Sequence, residues 1–208
     1  MTELEIVLIA TTLSAVIGPI VVTRYRYYLE NKKKKKNPVG KSLEHTILVD
    51  EQISSLRTEL DSCRVWISQF HNGGNFYPTG ASIQKFSIFY EAIKPGAASV
   101  RNTFQNIPVS LFAQPTNHIY QEGELLIPNY KQHEDLGLKE IAETTSARSS
   151  YIFALNSIDG EFLGTMGVEY CSRARKLSDE QLNECRTTAI TVGTLLSTYL
   201  YGTDQTKK

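Results

Sequence analysis

Residues 150–170, SYIFALNSIDGEFLGTMGVEY, decide the fold of this chain. Two apolar runs, 150–158 and 161–171, flank the pair Asp159-Gly160, and Asp-Gly between apolar runs is a strong signal for a tight β-hairpin. A helix is expected to open at Ser178, because Ser178 and Gln181 have the spacing of a capping box. The segment therefore predicts two antiparallel strands followed by a closing helix.

The remaining elements belong to the same mixed domain. Residues 42–62 lack proline and glycine and predict a helix capped by Ser42. Further strands are expected at 64–70, 84–93 and 125–127, and further helices at 109–122 and 138–144. Strands and helices do not alternate regularly in this order. It therefore predicts an α+β domain, an antiparallel sheet with the terminal helices on one face and the middle segments on the other.

The order of elements over residues 43–201, together with the Gly164-x-x-Gly167-Val168 sequence of the hairpin, resembles a GAF domain. In that family a strand, an Asp-Gly turn and a strand of this form precede the last helix, and we place the GAF-like domain at 42–202. The PAS fold is the runner-up. The resemblance implies a sensor module that binds a small molecule or dimerises. A short anchor followed by such a domain also resembles uncharacterised proteins of tailed phages.

The N-terminal residues predict a membrane anchor. Residues 6–22 carry no charge, and the tyrosines that follow suit a membrane interface, so a transmembrane helix is expected at 6–28 after a short tail, 1–5. A cleaved signal peptide would carry its positive charges before the apolar run. Here they follow it, in a basic linker, 29–41. The positive-inside rule then predicts a single-pass protein with its N-terminus outside and its main domain cytoplasmic, ending in a tail, 203–208.

Charge and cysteine content exclude several classes of function. The 22 basic and 22 acidic residues balance, which gives no general case for a nucleic-acid partner. Cys63, Cys171 and Cys185 form no CxxC pair, so we expect them to be reduced and mostly structural. No metal-ligand spacing and no nucleophilic triad is found, and the chain is expected not to be an enzyme. GAF domains that bind a linear tetrapyrrole attach it to a cysteine near the middle helices, and this chain has no cysteine there. The sequence identifies no cofactor.

The stretch FHNGGNFYPTG, residues 70–80, raises the question of a ligand site. It lacks the spacing of a phosphate-binding loop. Asn-Gly favours a turn, so 72–74 are expected to form a loop at the end of the sheet. That loop is then either only a turn or also the rim of a pocket, with His71, Asn72 and Asn75 as candidate ligand contacts.

Two strand residues complete the candidate site. Tyr90 lies among large apolar residues of the second strand, and Glu169 is an acidic residue inside an otherwise apolar strand. A solvent-facing edge position is the alternative for Glu169. Both faces of the first two strands carry large apolar groups, which predicts a sheet covered on both sides.

The terminal helices, 42–62 and 178–201, are expected to form a homodimer. Each has an apolar stripe, with Val49, Ile53 and Leu56 in the first and Val192 and Leu196 in the second, although a sheet could cover part of either. The sequence as a whole predicts a membrane-anchored, cytoplasmic sensory module that binds a small ligand. A dimerising or partner-recruiting scaffold without a pocket is the alternative.

Overall fold

The computed structural model describes residues 18–28 and 38–201, and the chain divides into two units, 1–43 and 44–208. In the first unit, residues 18–28 are helical. Among the described residues, no helix combines the length and the apolar character needed to cross a bilayer. Most of the anchor predicted at 6–28, and the lysine block of the linker, lie outside the described residues.

The second unit is built on one six-stranded antiparallel sheet. Its strands are β1 (Arg64–Asn75), β2 (Ser82–Ile93), β3 (Ile107–Pro108), β4 (Glu124–Ile127), β5 (Ser149–Asn156) and β6 (Phe162–Tyr170). They lie in the order β3-β2-β1-β6-β5-β4, so β1 and β6 are central. The helices are α1 (Pro38–Glu59), α2 (Ala113–Glu122), α3 (Leu136–Thr144) and α4 (Asp179–Tyr201), with short 3₁₀ turns at Val109–Phe112 and Tyr130–Gln132.

The terminal helices α1 and α4 pack on one face of the sheet, as predicted. The stripe of α1, Val49, Ile53 and Leu56, is buried in one cluster with Val192 and Leu196 of α4 and with the inward residues of the strands. A single chain thus covers both stripes. Helix α1 begins at Pro38 and not at the predicted cap, Ser42. Proline is well suited to the first position of a helix, because its missing N–H is not needed there.

The hairpin of residues 149–170 forms as its sequence predicts. Asp159-Gly160 makes the turn, with Gly160 at φ 84° and its N–H donating to the Ser157 carbonyl. On β6, Met166, Val168 and Tyr170 point into the helix-side core, whereas Thr165 and Glu169 belong to the other face. The strict two-residue alternation of a strand therefore separates the two functions of β6, core packing and cavity lining.

The prediction that residues 72–74 turn the chain is wrong. β1 continues through Asn75, and the turn lies further on, at 77–79. The register between β1 and β2 shifts between Asn72 and Asn75, where Gly74 has φ 104° and Asn72 Oδ1 accepts from its N–H at 3.1 Å. Asn-Gly-Gly therefore makes a bulge within a long hairpin arm.

The helices and loops between β2 and β5, here called the middle segments, cover the second face of the sheet. The predicted helix at 109–122 is a 3₁₀ turn followed by α2, and Pro115 falls in the first turn of α2, where proline is tolerated. A left-handed Gly123 ends α2. α3 begins with Asp135 as its cap, whose Oδ1 accepts from the Leu138 N–H at 3.0 Å.

The expectation of three reduced cysteines is also wrong. Cys63 and Cys171, 108 residues apart in sequence, form a disulfide between the start of β1 and the end of β6. Widely spaced cysteines gave no sequence signal, because only the pairing of β1 with β6 brings them together. Cys185 is a free thiol on the buried face of α4, and burial raises its pKa to about 12, so it is a poor nucleophile.

Candidate functional site

A cavity of about 110 Å³ lies between the sheet and the middle segments, on the face opposite α1 and α4. Its walls are mainly apolar and partly aromatic, and include Phe70, Phe86, Ile88, Phe104, Phe112 and Ile119. The sheet supplies the floor and α2, α3 and the loop before β3 supply the cover. A concave, largely apolar site with a few polar groups is the usual form of a small-molecule site.

The floor of the cavity is made of matched rows across β1 and β6. Arg64 lies opposite Glu169, Trp66 opposite Gly167, and Ser68 opposite Thr165. Because these residues are two apart on each strand, they all face the same side. The first row is charged, the second aromatic and the third made of hydroxyls, so polarity changes along the floor.

The charged row is a buried ion pair. Arg64 is 0% exposed and Glu169 is 7% exposed, and Arg64 Nε donates to Glu169 Oε2 at 2.5 Å. The other guanidinium nitrogens donate to the carbonyls of Ala98, at 2.8 Å, and Thr145, at 2.6 Å. All three guanidinium nitrogens are engaged, which is the condition under which a buried arginine is tolerated.

Trp66 joins this pair to the aromatic row. Its indole Nε1 donates to Glu169 Oε1 at 3.0 Å, so each carboxylate oxygen accepts one bond from the protein. Gly167 makes the arrangement possible, because a Cβ there would lie 2.2 Å from the indole ring. Gly164 has a similar role in the strand contact, since its Cβ would lie 1.9 Å from the Ser68 carbonyl oxygen. The two glycines of the hairpin motif thus let β1 and its indole lie close against β6.

Hydroxyl groups complete the polar lining. Ser68 Oγ and Thr165 Oγ1 are 2.8 Å apart and share a hydrogen bond. Tyr130 lines the cavity near Glu169, and burial raises the pKa of its phenol to about 12, so the hydroxyl keeps its proton. Thr116, on α2, is partly exposed and lines the cavity as well. The site therefore offers a carboxylate, a phenol and alcohols, all in reach of an apolar space.

Of the five candidate ligand contacts, the structure brings Glu169 to the cavity. Its alternative as a solvent-facing edge residue is excluded, since β6 is a central strand and the side chain is buried. His71, Asn72 and Asn75 lie on the hairpin arm beyond the cavity; His71 Nε2 is 2.9 Å from Ser87 Oγ, and Asn72 Oδ1 accepts from the Ser82 hydroxyl. Ligand binding by these three residues stays a prediction.

Tyr90 lies on the helix side of the sheet. The register between β1 and β2 shifts between Ile67 and Ser68, where Tyr90 pairs with Ile67 and Ile88 pairs with Ser68. Phe89 is the extra residue of this bulge, and it moves Tyr90 to the face opposite Ile88. Tyr90 packs against the helix-side core and its hydroxyl is 3.5 Å from His45 Nδ1. Ligand binding by Tyr90 also stays a prediction.

Sequence reasoning did not single out Arg64, Tyr130 or Thr165. Arg64 carries the one available signal, because it begins the alternation Arg64, Trp66, Ser68, Phe70 that marks the cavity side of β1. A charge at the first position of a strand is ordinary, however, and its partner lies 105 residues away. Within the described part of the chain, no three histidine, cysteine, aspartate or glutamate side chains are grouped to hold a metal ion.

No protein-family model and no curated protein matches the sequence. Solved structures do match. The phycocyanobilin-bound GAF domain from a cyanobacterial phytochrome is 16% identical over 79% of this chain and 90% of that one, with a TM-score of 0.63. The blue-light absorbing form of the Thermosynechococcus elongatus PixJ GAF domain is 15% identical over 80% and 92%, with a TM-score of 0.62.

A third match is the photoproduct state of GAF3 from Slr1393 of Synechocystis sp. PCC6803, with 10% identity over 78% of this chain and 99% of that one and a TM-score of 0.62. These likenesses extend over most of each chain. The fold is therefore GAF-like, α+β with a six-stranded antiparallel sheet, as the hairpin sequence indicated. The resemblance to tailed-phage proteins finds no support in these matches.

Proposed function

We propose that this chain is a non-catalytic sensory module that binds a small molecule in the cavity between the sheet and its middle segments. The observation that carries the proposal is a buried ion pair, Arg64–Glu169, whose carboxylate lines a mainly apolar cavity. A buried ion pair commonly costs more in desolvation than it returns, so its presence calls for a further role. Orienting a ligand is such a role, and the cavity next to Glu169 gives it a place.

The solved neighbours are consistent with this proposal. One of them is described as phycocyanobilin-bound and another as having bound biliverdin, which are statements about those proteins. In this chain, the cysteines stand apart from the cavity lining: Cys63 is bonded to Cys171, and Cys185 is buried on the helix side. We therefore propose reversible binding, held by packing and hydrogen bonds.

Ligand retention tests the proposal directly. The full chain is purified and then denatured, and the small molecules that it releases are measured by mass spectrometry. We expect one molecule to be released by the wild type and lost in Thr116→Phe, whose ring would enter the cavity. Thr187→Phe is the matched control, because Thr187 is exposed on α4, away from the cavity. The proposal is refuted if the three proteins retain equal amounts of the molecule. It is also refuted if none of them retains a small molecule or binds one that is added.

We propose further that residues 6–28 anchor the chain in a membrane with the domain on the cytoplasmic side. The charge distribution around 6–28 supports this orientation. The disulfide Cys63–Cys171 argues against it, because disulfides persist mainly in oxidising compartments. The redox state of Cys63 and Cys171 in the cell therefore tests the orientation. A reporter enzyme that is active only in the cytoplasm tests it independently, and it should be active when it is fused after Lys208.

We also propose a homodimer through α1 and α4, but with contact residues other than those of the two apolar stripes. The buried stripes are used within one chain, so they are not available for pairing. Apolar side chains that stay exposed on these helices include Ile47, Leu48 and Ile190, which are 56%, 47% and 69% exposed. Pairing helices would cover such groups and gain hydrophobic free energy.

A further inference from the structure

We infer that the ligand of the cavity is a neutral, single-ring aromatic molecule that directs one N–H or O–H group at the Glu169 carboxylate. This inference rests on the proposed function and specifies the class of ligand. Three properties of the site carry it: its volume, the geometry of its aromatic walls, and the unused hydrogen-bonding capacity at its charged end.

Volume limits the ligand to about one ring. The cavity measures about 110 Å³, whereas an apolar cavity of about 150 Å³ is known to hold one benzene molecule. A single small ring is therefore about the largest guest that this space can hold. A linear tetrapyrrole, with four rings, is several times too large for this space.

The walls favour an aromatic ring over an aliphatic one. Phe86 and Phe112 meet edge to face, with centroids 5.5 Å apart and an interplanar angle of 78°, and Phe104 meets Phe112 at 6.3 Å and 62°. These three phenylalanine rings and the Trp66 indole all line the cavity. A planar guest can continue this edge-to-face arrangement, which adds to the gain from burial alone.

The carboxylate end calls for a donor on the ligand. A carboxylate has about four acceptor positions, and Glu169 uses one for Arg64 and one for Trp66. The remaining acceptor positions have no donor from the protein in the described contacts of Glu169. A ligand N–H or O–H would satisfy one of them, and bonds to a charged acceptor are the stronger kind.

Charge selects a neutral ligand. Arg64 already neutralises Glu169, so a cationic ligand would bring an unpaired charge into a buried site. An anionic ligand would lie beside the carboxylate. Arg64 would not offset this repulsion, since its side chain is not among those that line the cavity and its charge is already paired with Glu169. A neutral donor avoids both costs.

Trp66 gives a direct readout, because it is the single tryptophan of the chain and lines the cavity. The full chain is titrated with phenol, toluene, benzoate and biliverdin, and the indole emission is followed. We expect phenol to bind at least about tenfold more tightly than toluene, because its O–H can donate to the Glu169 carboxylate and a hydrogen bond to a charged acceptor is among the stronger ones. Benzoate should bind more weakly than toluene, and biliverdin should not compete with phenol.

Variants assign the effect to the cavity and to Glu169. Thr116→Phe should abolish the phenol response and Thr187→Phe should keep it. Glu169→Gln, which replaces one acceptor oxygen by an amide group, should reduce the advantage of phenol over toluene to about threefold or less. If Glu169→Gln does not fold, the comparison of phenol with toluene on the wild type decides.

Toluene bound as tightly as phenol, benzoate bound more tightly than either, or biliverdin displacing phenol would each overturn the inference. Failure of phenol to bind, while mass spectrometry finds another retained molecule that Thr116→Phe loses, would also overturn it and leave the proposed function standing. Absence of both the phenol response and any retained molecule would remove the two together.

Discussion

Replacing Gly167 by alanine should disrupt the charged end of the cavity. The added Cβ would lie 2.2 Å from the Trp66 ring, far inside van der Waals contact, and the strand backbone cannot move without breaking the β1–β6 pairing. The indole must therefore rotate or lift away. Either movement lengthens its 3.0 Å hydrogen bond to Glu169 Oε1 and leaves that oxygen without its protein donor.

The cost has two parts. Forcing an extra methyl group into a packed site costs about 1–3 kcal/mol, and losing a hydrogen bond to a buried carboxylate costs about 1.5–3 kcal/mol. Because partial relaxation reduces each part, we expect the free energy of unfolding to fall by about 3 kcal/mol. The emission of Trp66 should shift at the same time, since the environment of the indole changes.

Urea unfolding monitored by circular dichroism measures the stability, and fluorescence measures the indole. Gly137→Ala is the matched control. Gly137 lies within α3, where alanine favours helix, and the added Cβ would lie 3.3 Å from Asp135 Oδ1, a close contact that a small shift of this side chain relieves. A double-mutant cycle with Trp66→Leu isolates the contact: in that background Gly167→Ala should cost less than about 1 kcal/mol. A loss below about 1 kcal/mol in the wild-type background, with unchanged emission, would refute the steric reasoning.

Other consequences can be measured separately. A hydrogen bond with the Glu59 carboxyl, with burial a smaller cause, raises the pKa of Glu184 from 4.5 to about 7, so the folded chain binds more protons than the unfolded chain between these values. The free energy of unfolding should therefore decrease as pH rises from about 4.5 to 7, and Glu184→Gln should flatten this slope; an unchanged slope contradicts the pairing. Alkylation before lysis, followed by mass spectrometry, should find Cys63 and Cys171 as two labelled thiols if the domain is cytoplasmic, and an unlabelled disulfide places it in an oxidising compartment instead. Ile47→Asp, on the exposed side of α1, should abolish dimers in sedimentation while leaving the unfolding midpoint within a few degrees; a protein that is monomeric before the substitution disproves the dimer.

The sequence by itself determined the α+β class, the hairpin of β5 and β6, and the two terminal helices with their apolar stripes. These features depend on local periodicity: the two-residue repeat of strands, the stripe of α1 and the Asp159-Gly160 turn each act within a few residues. Glu169 could be suspected for the same reason, since a charge breaks the apolar pattern of its strand. The sequence shows Gly164 and Gly167 as a motif, but it does not show that they let β1 and the Trp66 indole lie close against β6.

Only the tertiary structure decided what Glu169 contacts. Arg64, its partner, is 105 residues away, and the disulfide joins residues 108 apart, so no local pattern relates them. The bulge at Phe89 places Tyr90 on the helix side of the sheet, and the bulge at Gly73-Gly74 lies within a hairpin arm where the sequence predicts a turn. An extra residue in one strand changes every later facing assignment, and whether it occurs depends on the partner strand. The cavity therefore depends on the pairing of β1 with β2 and β6, which sequence periodicity alone does not specify.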